Sequence, residues 1–231
     1  MRVEESLIRP QPFKHFASKR VVYVPVDTPG GVILKHIEKK AEKIKISEWG
    51  TLARLEDKVV LYCAMGAPLA VMTLERLIAS GAGEILVLGF CGSLDPRLKI
   101  GAAVDITRAF ADEGTSRHYI SRRRWFRPSR DFSSEIEGRL AAEGLSLART
   151  TAVSTDAPFR ETKGWLGAMV RRGCGVVDME ASAVYDLAEY HGRLAAALMI
   201  VSDELSRGKW KHGFFDSGLE ETVERYFMPF I

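Results

Sequence analysis

Two carboxylate-bearing segments hold most of the chemical interest of this 231-residue chain. In Val177-Asp178-Met179-Glu180-Ala181-Ser182 an apolar run ends in acidic residues just before an amphipathic one. A carboxylate in that place gains from a helix N-terminus and can also cap it. Asp178 is expected to be the cap or support, and Glu180 the group left free to act. In Leu198-Met199-Ile200-Val201-Ser202-Asp203-Glu204 a second apolar run ends in a polar pair, which serves either as a turn or cap or as a proton donor. A third segment, Leu88-Gly89-Phe90-Cys91-Gly92-Ser93-Leu94, is expected to leave a buried strand through a glycine turn. Backbone N–H groups of such a turn can face an anion or a sugar oxygen; a plain strand-to-loop turn is the alternative.

These segments need a frame that brings strand ends together. Val21 to Val26 reads as a buried first strand, and Asp27-Thr28-Pro29-Gly30-Gly31 as a turn leading into a helix that runs roughly to Lys45. Gly50 to Leu55 and Lys58 to Cys63 form a hairpin, and Gly66 releases the chain into a helix over Pro68 to Ser80, with proline in its first turn and Gly81 at its stop. Further strands are predicted at Glu84 to Leu88, Ala103 to Arg108, Ala148 to Ser154, Gly175 to Asp178 and Ala195 to Val201. Helices are predicted at Ser133 to Glu143, Thr162 to Arg172, Ala181 to His191 and near the C-terminus. Near-continuous apolar strands alternating with helices predict an α/β fold: a single-domain, three-layer α/β/α arrangement around a central mixed, largely parallel sheet. An N-terminal arm over residues 1–20 precedes the domain over 21–231. Ligands of such sheets collect at the carboxyl ends of the strands, where the acidic segments fall.

At 46% hydrophobic and 27% charged the chain can bury a full core without disulfides, and a net charge of +3 calls for neither nucleic acid nor membrane as partner. Cys63, Cys91 and Cys174 show no pairing or metal-ligand spacing, so reduced thiols and no metal are expected. The start lacks a signal-like apolar stretch, and no segment reaches about 18 apolar residues, which predicts a cytoplasmic protein.

A glycine segment, a Met-Glu pair and a Ser-Asp pair at successive strand ends resemble the nucleoside phosphorylase and nucleosidase superfamily, of the purine nucleoside and uridine phosphorylase type. The likeness runs from about Val21 to Asp203, and Asp178-Met179-Glu180-Ala181 followed by Val201-Ser202-Asp203 is its most specific part. Gly89-Phe90-Cys91-Gly92-Ser93 and Glu113-Gly114-Thr115-Ser116 with His118-Tyr119 support it. The resemblance implies that Glu180 binds the ribose hydroxyls, Met179 packs on the sugar, and Asp203 gives a proton to purine N7. It also places Phe159 against the base, while Thr155, Asp156, Arg160 and Glu161 can read the base's polar edge. Cleavage passes through an oxocarbenium-like sugar, so a carboxylate beside the sugar and an acid beside the base are the groups it needs.

The expected activity is phosphorolysis of a purine nucleoside to free base and ribose 1-phosphate, with catalytic Asp203 and Glu180 and substrate-binding Met179, Phe159, Gly89, Cys91, Gly92, Ser202 and Arg160. Inorganic phosphate is the co-substrate, no other cofactor is expected, and a homo-oligomer, a dimer or a ring of dimers, is implied. The family's phosphate-binding pattern is altered: Val26-Asp27-Thr28-Pro29-Gly30 replaces a glycine-aspartate-proline loop, no arginine precedes the glycine segment, and Phe90 replaces a small hydroxyl residue. Arg54, Arg108, Arg160 or the basic run Arg117, Arg122, Arg123, Arg124, Arg127 and Arg130 can substitute, although such runs are commonly solvated surface. Two alternatives follow. One is a nucleosidase using water, with Asp27 as the nearest carboxylate to activate it; the other is a non-catalytic nucleoside-binding protein. His15 is a candidate for a neighbouring subunit's sugar site.

Overall fold

The computed structural model describes residues 6–47, 50–120, 123–206 and 208–231. The elements are β1 (Arg20–Val24), α1 (Val32–Lys40), β2 (Lys43–Ser47), β3 (Gly50–Arg54), β4 (Lys58–Tyr62), α2 (Ala67–Ala79), β5 (Glu84–Ser93) and β6 (Ala103–Ala111). They continue as β7 (Trp125–Phe126), α3 (Arg130–Ala142), β8 (Ala148–Ser154), α4 (Lys163–Arg171), β9 (Val176–Asp178), α5 (Ala181–Tyr190), β10 (Leu194–Glu204), β11 (Lys211–His212) and α6 (Ser217–Phe227).

The layers follow from the two-residue period of the strands. Val21 and Tyr23 of β1, Ile85 and Val87 of β5, and Ala195, Ala197, Met199 and Val201 of β10 point into one core with α2 and α5. Their neighbours Val22, Val24, Leu86, Leu88, Ala196, Leu198 and Ile200 point into a second core with α1, α3 and α6. Each fully buried aliphatic side chain contributes ~1.5–3 kcal/mol, and both strand faces are apolar, so the sheet is stable only when covered on both sides. Phe13 and Phe16 of the N-terminal arm belong to the first core, so the arm's second half is packed rather than free. Among the described residues no helix is long and apolar enough to cross a membrane.

The sheet is mixed, with parallel pairing of β4, β1, β5 and β10 at its centre and the antiparallel β2–β3–β4 meander at one side. Pairing also runs β5–β9–β8–β6–β10, and β10 pairs back onto β5, so these five strands close a ring. The first half of β5 pairs with β1, and its last residues pair with β9.

Two expectations are corrected. The first helix ends at Lys40 rather than near Lys45, because Lys43–Ser47 alternates isoleucine with polar residues and pairs antiparallel with β3. Gly89 to Ser93 is no turn: β5 runs on through it, held by β10 along its length and by β9 at Gly92 and Ser93. Backbone groups used in those ladders are not free to form an anion cradle.

Candidate active site

A cavity of about 410 Å³ opens where β1, β5, β9 and β10 end. Val177 to Glu180 line one wall, Phe90 to Gly92 and Ser202, Asp203 and Leu205 another, and the segment with Pro158, Phe159 and Glu161 borders the same space. Met179, Glu180, Asp203, Ser202, Cys91, Gly92 and Phe159 are thus brought together from segments far apart in the chain.

The first acidic pair belongs to the start of α5. Buried Asp178 accepts the N–H groups of Glu180 (2.9 Å) and Ala181 (2.6 Å) through Oδ2 and the Ser154 hydroxyl (2.6 Å) through Oδ1. It is therefore the helix cap, as its position in the sequence suggests. Glu180 is left facing the cavity, and its Oε1 accepts the Gly66 N–H at 2.6 Å. Gly66 stands before α2 at φ 90, where a side chain is strained, so the N-termini of α2 and α5 converge on one carboxylate. Burial, and then the charge of Asp178, push the Glu180 carboxyl up to about 8 against the lowering effect of the Gly66 and Met179 N–H groups. Burial also raises Asp178.

The second acidic pair lies at the end of β10. Asp203 Oδ1 accepts the Ser202 hydroxyl at 2.8 Å, and Oδ2 accepts the Trp210 indole N–H at 2.9 Å. A β-bulge between Val201 and Asp203 turns the carboxylate out of the ladder opposite Gly92. Gly92 leaves room for this approach: a Cβ there would stand 3.0 Å from Asp203 Oδ2, 3.0 Å from Val177 Cγ1 and 2.8 Å from Leu205 Cδ1. Glu161 shares this end, and burial followed by the charge of Asp203 pushes it up to about 7. Glu180 is affected by Asp178 and Glu161 by Asp203, so the four carboxyl groups act as two separate pairs.

Phe159 is 99% exposed and Trp210 66% exposed, although both border the cavity. Uncovered aromatic rings at a cavity mouth are suited to a flat ligand. Met65, Leu205 and Pro25 add apolar walls.

Other candidates fall elsewhere. Gly89 packs beneath Pro25, and Arg160 does not line the cavity. Asp27 is a cap rather than a group facing water: Oδ1 accepts the N–H groups of Thr28 (2.7 Å) and Ile33 (3.1 Å), and Oδ2 accepts Leu34 N–H (2.8 Å) and the Tyr62 hydroxyl (3.0 Å). Arg54 donates to the Ala17 carbonyl, Arg108 lies 3.8 Å over the Trp125 ring, Arg123 pairs with Glu189, and Arg124 pairs with Asp112. Arg122 lies outside the described residues, and Arg117, Arg127 and Arg130 do not line the cavity. His15 and His118 border other grooves, and buried Glu113 accepts the Ser182 hydroxyl at 3.0 Å, tying its loop to α5. Among the described residues no lysine, arginine or histidine lines the cavity, and no cluster fit to hold a metal ion is present.

Trp210 and Met65 are the residues that sequence reasoning missed. Met65 precedes the helix-starting Gly66, which is a usable signal, whereas Trp210 stands in a segment without apolar periodicity.

Residues 33–227 match the phosphorylase superfamily. A guanosine phosphorylase of Halorubrum lacusprofundi is 28% identical over 168 residues, covering 73% of this chain and 70% of that protein. A DeoD-type purine nucleoside phosphorylase of Geobacillus kaustophilus is 28% identical over 151 residues, covering 63% of this chain and 62% of that protein, somewhat under two-thirds of its length. The crystal structure of a purine nucleoside phosphorylase from Toxoplasma gondii in complex with immucillin-H superposes with a TM-score of 0.77 over 99% of this chain and 96% of that one. At 18% identity that likeness speaks to the fold.

Proposed function

The chain belongs to the phosphorylase superfamily, and we propose that it cleaves the N-glycosidic bond of a purine nucleoside by phosphorolysis, giving free base and ribose 1-phosphate. The observation that carries this reading is one cavity with two separate carboxyl pairs, Asp178–Glu180 and Asp203–Glu161, and an exposed aromatic ring at its edge. Glu180 binds the ribose hydroxyls, with Met179 against the sugar, and in its ionised form, gained as pH rises toward about 8, its charge stabilises the sugar as the C1′–N9 bond breaks. The bonding electrons leave with the purine, which stacks on Phe159 and takes a proton from the acids at the Asp203 end. An oxygen of inorganic phosphate, the co-substrate, then bonds to C1′. The names of the relatives, a guanosine phosphorylase and purine nucleoside phosphorylases, support the purine assignment.

Hydrolysis is the second reading, favoured by one observation: the described cavity residues include no cation to grip phosphate. Incubation with purine nucleosides, with and without phosphate, separates the two. Base released only with phosphate, together with ribose 1-phosphate, is the expected result; base released equally without phosphate gives the reaction to water. Binding without release refutes both and leaves a nucleoside-binding protein.

The proposal extends to a cytoplasmic homo-oligomer working in nucleoside salvage. Free Cys63, Cys91 and Cys174 support a reducing compartment, and exposed Ile44, Ile46 and Met72 away from the cavity support contacts between copies. Light scattering tests the assembly: a dimer or larger is expected, and a monomer at high concentration refutes it.

A further inference from the structure

We propose that the proton taken by the leaving base comes from Glu161, and that Asp203, which lines the same cavity, is a positioning group. This rests on the glycosidic-cleavage reading above and assigns the acid within it.

The hydrogen bonds of Asp203 argue against its carrying the proton. An indole N–H only donates, so Oδ2, which accepts from Trp210, is unprotonated. Oδ1 already accepts the Ser202 hydroxyl, so both carboxyl oxygens of Asp203 have a donor within the protein. Glu161 lines the same cavity, and among the described residues none makes a hydrogen bond to its carboxyl. It follows Phe159 by two residues, so the ring expected against the base and the acid beside it travel on one short segment. Burial, and then the charge of Asp203, push the Glu161 carboxyl up to about 7, so it is favoured to carry a proton at neutral pH far more than an ordinary carboxyl. The other titratable groups lining the cavity are Asp178, Glu180 and the buried thiol of Cys91, which burial pushes up; Arg160 and Lys163 flank Glu161 in sequence without lining it, and His212 is beyond Trp210, ring centroids 5.2 Å apart.

The step balances simply. The Glu161 proton goes to purine N7 as the C1′–N9 electron pair moves into the base, the carboxylate remains, and solvent returns a proton after the base leaves.

The test compares guanosine with 7-methylguanosine, whose cationic base departs without a proton, in the full-length protein at pH 7. For Glu161→Gln the expected result is a fall in kcat of about 100-fold on guanosine and less than about threefold on 7-methylguanosine. Glu161→Asp, which withdraws the carboxyl by one carbon, is expected to give an intermediate loss on guanosine alone. Equal losses on both substrates, or no loss on guanosine, overturn the proposal. A wild-type protein that cleaves neither substrate overturns the glycosidase reading itself. As a measurement free of mutation, wild-type kcat on guanosine is expected to decline at alkaline pH as Glu161 loses its proton, and a profile without that decline also overturns the assignment.

Discussion

Replacing Gly92 with alanine puts the geometry of the site under a controlled strain. The new Cβ would meet Asp203 Oδ2 and Val177 Cγ1 at 3.0 Å and Leu205 Cδ1 at 2.8 Å. Ordinary contact begins near 3.5 Å, so groups on both sides of β5 have to yield by roughly 0.5 Å. Val177 is β-branched and fixed in β9, so it gives least; the Leu205 methyl and the Asp203 carboxylate can turn away. Turning Asp203 stretches its 2.9 Å bond to Trp210 and moves the charge that faces Glu161. A misplacement of 1 Å can cost about 100-fold in rate, so half that distance is expected to lower kcat by about tenfold. Stability should fall by only ~1 kcal/mol, the low end for overpacking, because two of the three neighbours are flexible ends. Base release and thermal unfolding measured on the same preparation check both numbers. A variant with kcat within twofold of wild type refutes the view that the placement of Asp203 matters to the reaction. A large fall in melting temperature with kcat nearly unchanged would show that Gly92 serves the sheet instead.

Other perturbations separate the roles of the remaining carboxylates. Asp178→Asn keeps the cap but removes the charge beside Glu180, so Glu180, now pushed up to about 8, should ionise at lower pH, and the acid limb of kcat/KM should move down. The sign for stability is fixed by the same shift: a raised carboxyl favours the fold below the ordinary carboxylate range, and that contribution is lost as pH rises toward about 8. Melting temperature should therefore fall over that window, less steeply in Asp178→Asn; a steeper fall refutes the coupling. Phe159→Ala should raise KM about tenfold without changing the melting temperature, since the ring is 99% exposed and packs on little in the free protein. Asp27→Ala should cost ~2 kcal/mol in urea unfolding by releasing the N-terminal N–H groups of α1, while leaving the pH profile of catalysis unchanged; a changed profile would revive a water-activating role.

Much of the frame is legible in the chain because strands buried on both faces read as apolar runs, and Ala148–Ser154 is bounded as expected. Lys43–Ser47 is misread because an edge strand with lysines among isoleucines shares its composition with a helix end, and only the β3 partner decides. Gly89 to Ser93 looks like a turn because glycine is the usual sign of one. Here Gly92 answers the close approach of Asp203, Val177 and Leu205, which no local pattern contains. Asp178 and Glu180 flank one methionine at the strand-to-helix junction, and the sequence shows that carboxylates meet a helix start there; that Asp178 rather than Glu180 accepts the first N–H groups of α5 is decided by the fold. The Trp210 contact is not legible either, because it joins a loop to a strand end across a space that exists only once the ring of strands has formed.

That ring sets an order of events during synthesis. Closure depends on β10 lying along β5, with Leu194 opposite Glu84 and Asp203 opposite Gly92, a pairing between distant parts of the chain. Long-range pairing forms slowly, because the entropy of closing the loop is lost before the contacts repay it. A growing chain can complete the β2–β3–β4 meander and pack α2 early. It gains Glu180 and Asp203 in one cavity only after the segment past Glu204 has left the ribosome. The unfinished chain therefore shows the β10-facing edge of β5, apolar and unpaired, for most of its synthesis, and nascent chains stopped before residue 194 should be the ones that bind chaperones and lack nucleoside affinity.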